Sequence, residues 1–157
     1  MTRNYYWRQN PNATAYIQAS EGLFIGEIVQ RMEQIIHHNM TQRYVHVFAH
    51  DGDVGPLAGA LGINLLRWPA MASNVAFEIW YFKLPSHWNK IYGLIFANFR
   101  QTAAPNSTYY ARVLYSGQPI ETIHDVLNWI PLQSLVNILQ PYVPSNVSAL
   151  CSTGIAN

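Results

Sequence analysis

The sequence has little charge, a single cysteine and no long apolar run. Charged residues make up 11% of its 157 residues, whereas ordinary soluble domains hold about 25%. Cys151 stands alone, which excludes an internal disulfide and a metal site built on cysteines. The formal net charge is +1 and no lysine or arginine cluster occurs, so we expect no nucleic-acid partner. No apolar run reaches the roughly 20 residues of a membrane span, so none is expected.

Sites for N-linked sugar are frequent for a chain of this length. Four Asn-x-Ser/Thr sequons begin at Asn12, Asn39, Asn106 and Asn146. Each falls in a predicted loop or at the end of an element, where a glycan is tolerated. The first twelve residues lack the apolar stretch of a signal peptide. We therefore expect a secreted glycoprotein whose N-terminal part lies outside this sequence.

The first half of the chain predicts alternating helices and strands. Residues 1–19 have the breakers of a loop segment, and residues 20–38 carry the apolar stripe of an amphipathic helix. Arg43–Ala49 is β-branched and aromatic, which favours a strand buried on both faces. A short helix over Leu57–Leu61 follows. This order is typical of an α/β layer with a mainly parallel sheet.

The second half predicts two more strands and one more helix. Strands are expected over Ala76–Tyr81 and Tyr109–Tyr115, and an amphipathic helix over Leu132–Leu139. Residues 84–108 are expected to be irregular. The predicted organisation is an N-terminal loop segment over 1–19, one domain over 20–143 and a loose tail over 144–157.

The pair His50–Asp51 is the most informative candidate for chemistry. It is expected at the carboxyl end of the buried strand and before a helix, where α/β sheets bind ligands and open helix amides favour phosphate. A histidine there can donate to phosphate, and an aspartic acid can protonate a leaving alkoxide. From the residues alone, a structural cap and a functional site both remain open. The second pair, His124–Asp125, is interpreted as a surface or capping pair.

Five segments, in this order, resemble the histidine acid phosphatases of the acid phosphatase and phytase branch. They are SEGLFIGEIVQRMEQII, YVHVFAHDGDVGPLAGALGI with its His-Asp pair, PAMASNVAFEIW with a Phe-Glu strand, YYARVLYSGQP with a Tyr-x-Arg-Val-x-Tyr-x-Gly hairpin, and IPLQSLVNIL. The resemblance covers about residues 20–140. It implies the C-terminal half of such a domain: part of a three-layer phosphoglycerate-mutase-like sheet with flanking helices, without the strand that carries the nucleophile.

The resemblance also implies a reaction. In the family, a histidine of an Arg-His-Gly motif attacks a small-molecule phosphate monoester, and the resulting phosphohistidine is hydrolysed without a cofactor or metal. By resemblance, His50 binds the phosphate and Asp51 is the proton donor. Relatives imply a secreted, lysosomal or endomembrane-lumen location and allow a homodimer.

Three departures from the family bear on activity. The sequence contains no Arg-His-Gly motif, so we expect the chain to be inactive alone. Gly52 and Asp53 stand where the family usually has threonine or asparagine, and Asp53 adds negative charge beside the phosphate. Ile130 stands where a cysteine is frequent. The alternatives are therefore a non-catalytic fragment or pseudoenzyme and, secondly, a metal-dependent phosphohydrolase.

Further predictions concern one candidate metal-ligand set and two single residues. The metal-dependent alternative would use His37, His38, His50 and Asp51. His46 is expected to be a core histidine of the buried strand. Glu78 is expected to have a structural role in its strand.

Overall fold

The computed structural model describes residues 12–38, 42–64, 67–82, 109–122 and 125–146. Within these ranges it has four α-helices and a four-stranded sheet, which confirms a mixed α/β class. The helices are α1 (Ala13–Ser20), α2 (Gly22–Ile36), α3 (Asp51–Leu61) and α4 (Leu132–Leu139). The strands are β1 (Val75–Tyr81), β2 (Tyr109–Tyr115), β3 (Gln118–Pro119) and β4 (Asn128–Pro131).

Helix α2 follows from its apolar stripe, whereas α1 lies in the segment expected to be a loop. Ile25, Val29 and Met32 recur at helical spacing and are buried in α2. Helix α1 buries only Ile17, so its eight residues show no stripe that a periodicity argument could detect. The expectation of an entirely irregular segment over residues 1–19 is therefore wrong for α1.

The sheet is antiparallel, not mainly parallel as the order of elements suggested. β1 pairs with the whole of β2, from Val75 opposite Tyr115 to Tyr81 opposite Tyr109. β3 and β4 both pair antiparallel with β2, so they share its other edge. Ser116 and Gly117 have φ of 47° and 82°, the left-handed pair that a two-residue hairpin requires. The strands predicted at 76–81 and 109–115 are both confirmed.

One core joins the helices to the sheet. Helix α4 packs against α2, α3 and β2, and its apolar stripe faces the inward side chains of β2. The side chains with 0–1% exposure in this core are Ile25, Leu61, Ala111, Val113, Ile120, Leu132, Leu135 and Leu139. Burial of such side chains is the main term that stabilises the described fold.

Glu78 lies on the opposite face of the sheet, directly across from Arg112 in the β1–β2 register. Arg112 Nη1 is 3.3 Å from Glu78 Oε2, and its guanidinium lies 5.4 Å from the centre of the Trp129 ring. Cross-strand pairs of opposite charge and cation–π contacts stabilise sheets. This arrangement fits the structural role expected for Glu78.

The segment Arg43–Ala49 does not lie in the sheet. Residues 42–50 form neither helix nor strand, and every one of them is exposed. The expectation of a strand buried on both faces is wrong, and so is that of a core position for His46. A composition rich in β-branched and aromatic residues favours a strand only where neighbouring strands are present for those side chains to pack against. None of the four described strands pairs with this segment.

None of the helices in the described ranges is both long and apolar enough to cross a membrane.

Candidate functional site

His50 lies at the start of helix α3, not at the end of a sheet strand. Its backbone is extended, with φ of −98° and ψ of 169°, and the helix begins at the next residue. The His50 N–H donates to Asp53 Oδ2 at 2.7 Å. This is the bond that an acidic residue makes in a capping box, three positions after the cap. The exposed His50 thus has the position of a helix cap, the structural alternative that its sequence left open.

Asp51 is held by two donors at the first position of α3. Its Oδ1 accepts the Gly52 N–H at 2.9 Å, and its Oδ2 accepts the Trp68 indole N–H at 2.6 Å. Both partners orient the carboxylate, while the residue itself remains exposed. Asp51 is therefore fixed in direction and open to solvent, which are both features that a proton donor to a bound ester would need.

The start of α3 already carries compensating negative charge. Asp51 and Asp53 both lie in its first turn, where carboxylates interact favourably with the helix dipole. A phosphate placed there would face two carboxylates, and like charges disfavour its binding. A Cβ on Gly52 would meet no atom within 4 Å, so the threonine usual in the resembled family would fit at this position.

A third carboxyl, Glu21, lies at the junction of α1 and α2. It is 7% exposed, the only charged residue among the described ones with so little exposure. Its burial first, and the charge of Asp53 second, raise the pKa of the Glu21 carboxyl above its ordinary value of 4.5. Glu21 therefore adds to the acidic character of the site when it is ionised.

The raised pKa of Glu21 has a consequence for stability. The folded chain binds this proton more tightly than the unfolded chain, in which the glutamate pKa keeps its ordinary value of 4.5. The stabilising contribution is fully present below that value and is lost as the pH rises through the folded-state pKa. We therefore expect Glu21→Gln to be more stable than the unsubstituted chain at pH 7, with an advantage that shrinks towards pH 4.

Urea denaturation of both chains between pH 4 and pH 8 measures this difference. Glu33→Gln, on the exposed side of α2, is the matched control and should show no such trend. An advantage of Glu21→Gln that stays constant over the whole pH range would contradict the assignment.

His37 and His38 do not join this site. His37 and His38 follow the end of α2, and His38 Nδ1 lies 2.8 Å from the Tyr109 hydroxyl oxygen. Among the described residues no three His, Cys, Asp or Glu side chains form a group that could hold a metal ion. The set proposed for a metal-dependent enzyme, which includes His50 and Asp51, is therefore not gathered in the structure.

The second His-Asp pair is described in part. The Asp125 N–H donates to Thr122 Oγ1 at 3.0 Å, and its Oδ1 accepts the Val126 N–H at 2.8 Å. His124 lies outside the described residues. The local bonds of Asp125 are compatible with the surface or capping role expected for the pair, which stays a prediction.

The asparagines of two of the four sequons fall in the described ranges. Asn12 precedes α1 and Asn146 follows the 3-10 turn Gln140–Tyr142, and both are exposed. Asn39, Asn106, Cys151 and the whole stretch 84–108 that was predicted to be irregular lie outside them. The exposure of Asn12 and Asn146 is compatible with glycan attachment, which stays a prediction.

Comparisons with known proteins do not decide the family. No family model, no curated protein and no solved structure matches the chain. The resemblance to histidine acid phosphatases therefore depends on the quoted motifs alone.

Sequence reasoning missed two residues of this site. Trp68 lies 17 positions after Asp51 and no local pattern connects them. Glu21 lies between α1 and α2, and its burial depends on the packing of both helices against other elements, which no local pattern shows. Asp53 could have been assigned, because the spacing from His50 is that of a capping box.

Proposed function

We propose that this chain is an acid-phosphatase-like polypeptide that has no phosphatase turnover of its own. In this proposal His50 and Asp51 correspond to the phosphate-binding residue and the proton donor of the resembled family. The nucleophilic histidine and its arginines have no counterpart in the sequence, which contains no Arg-His-Gly motif. Of the alternatives, the non-catalytic fragment or pseudoenzyme has the better support.

The observation that carries this proposal is that the carboxylates at the start of α3 accept hydrogen bonds from the chain itself. Asp53 caps the His50 N–H, and both oxygens of Asp51 accept hydrogen bonds from the chain itself. These carboxylates stabilise the start of the helix, and their negative charge disfavours the binding of a phosphate dianion. Catalysis by a phosphatase instead requires cationic donors around the transferred phosphoryl group. None of the hydrogen bonds described at the start of α3 involves an arginine.

A second candidate is a phosphomonoesterase completed by a polypeptide that supplies the nucleophile. The specific observation in its favour is that Asp51 is exposed and held in one direction by Trp68. A histidine nitrogen would attack phosphorus and the bond to the ester oxygen would break. Asp51 would then give its proton to the departing alkoxide.

Hydrolysis of phosphate esters by the purified chain tests the first proposal. The substrates are p-nitrophenyl phosphate and β-glycerophosphate, between pH 4 and pH 7. We expect phosphate release no faster than in buffer, and the same result for Asp51→Asn. The matched control is Asp125→Asn, which changes the other His-Asp pair and leaves α3 intact.

One result would overturn the proposal. It is turnover that Asp51→Asn lowers by about a hundredfold or more, the usual contribution of a general acid, while Asp125→Asn leaves it unchanged. That pattern would make the chain an enzyme in which Asp51 acts as the proton donor.

A further inference from the structure

The exposed segment Arg43–Ala49 presents apolar side chains in both directions. The exposed fractions are 75% for Tyr44, 89% for Phe48, 52% for Val47 and 40% for Val45. A soluble protein rarely leaves such a run of large apolar side chains open to water without a partner. The segment is therefore a candidate interaction surface of the described chain.

The segment has the geometry of a strand that lacks a neighbour. The rings of Tyr44 and His46 are 6.1 Å apart, and those of His46 and Phe48 stack at 4.6 Å. Contacts between residues two apart indicate alternation, with the three rings on one side and the two valines on the other. Among the described residues no backbone hydrogen bond reaches positions 43–49. Its backbone N–H and C=O groups can thus form hydrogen bonds with a neighbouring strand.

The sequence of the segment is nearly the same in both directions. Read from His46 outward, it places valine and then an aromatic residue on each side: Tyr44-Val45-His46-Val47-Phe48. If two copies pair antiparallel about His46, Tyr44 faces Phe48, Val45 faces Val47, and each His46 faces its equivalent. Aromatic and β-branched cross-strand pairs are the favourable ones in sheets.

We propose that Arg43–Ala49 pairs with the same segment of a second copy of this chain, with the two-fold axis at His46. A two-fold interface requires one self-complementary surface, and this segment is self-complementary in sequence. A shift by one residue would place the ring-bearing side against the valine side, and a shift by two would leave one aromatic residue without its counterpart. The dimer does not depend on any phosphatase-like role of His50 and Asp51.

The strength expected of this contact is modest. A pair of short strands buries less surface than the roughly 1,600 Å² of a standard interface. The mass in solution should therefore rise with concentration from 17.9 kDa towards twice that value. Val47→Pro removes a backbone donor from the segment and should keep the mass at that of one chain. Light scattering on both proteins measures this. A mass that stays at one chain at every concentration, or that rises equally in Val47→Pro, overturns the proposal.

A disulfide experiment tests the register. In a Cys151→Ser background, His46→Cys places two sulfurs at the two-fold axis, where facing Cα atoms lie about 4.5–5.5 Å apart, within reach of a disulfide. Oxidation with diamide should convert most of this variant into a covalent dimer. Tyr44→Cys is the matched control, because its two copies would be separated by four residues, roughly 13 Å along the strands.

The outcomes of the disulfide experiment separate the alternatives. Efficient dimer formation by His46→Cys with little by Tyr44→Cys supports the proposed register. Equal yields from the two variants, or none from either, contradict it. Circular dichroism of both variants should match the parent, since the segment lies outside the described core.

Discussion

Replacement of Leu135 by alanine is expected to lower the free energy of unfolding by about 2–5 kcal/mol. Leu135 is completely buried in α4, the helix that packs against α2, α3 and β2. The loss combines the removed apolar burial with the cavity that the surrounding elements cannot fill. Because α4 contacts α2, α3 and β2 at once, collapse around the cavity would disturb all of them, so we expect the upper part of this range.

Urea denaturation of the purified chain measures the loss. Gln133→Ala is the control on the same helix, because Gln133 is exposed and should change stability by about 0.5 kcal/mol or less. If Leu135→Ala lost no more stability than Gln133→Ala, α4 would not be part of the core described above.

The elements that the sequence predicted well are those whose side-chain pattern matches their final environment. In α4 the apolar residues Leu132, Leu135, Val136 and Leu139 fall at helical spacing and are all buried. In β2, Ala111 and Val113 alternate with partly exposed neighbours and face the core. The spacing of apolar residues within one amphipathic element indicates both its type and its buried face. The local sequence was therefore sufficient to predict α4 and β2.

The prediction for Arg43–Ala49 was wrong because pairing is not a local property. The composition favours an extended chain, and the alternation of its rings agrees with an extended chain. Burial on both faces would also require strands on either side, and the described strands pair around β2 instead. The parallel sheet was inferred from the helix–strand–helix order in which this segment was the strand, so the two expectations were wrong together.

The candidate site was located in sequence but not correctly placed in the fold. His50 and Asp51 do mark the beginning of a helix, and the helix starts at Asp51, before Pro56 and well before the predicted Leu57. The acidic surroundings could not be read from the neighbouring residues. Trp68 contacts Asp51 across 17 positions, and Glu21 owes its raised pKa to burial between elements and to Asp53.

The central claim is that the residues leading into His50 lie outside the sheet. Backbone amides of 43–49 should then exchange with solvent at nearly the rate of an unstructured peptide. The Val113 amide of β2, which donates to the Leu127 carbonyl at 2.8 Å, should be slower by roughly a thousandfold or more. These two regions therefore provide an internal comparison within one sample.

Hydrogen–deuterium exchange at a concentration where light scattering finds single chains is the most direct measurement. We expect full exchange of the 43–49 amides while the Val113 amide is still protonated. Protection of 43–49 equal to that of Val113 would contradict this expectation, because the segment would then be a sheet strand ending at His50–Asp51, as in the phosphatase-like arrangement.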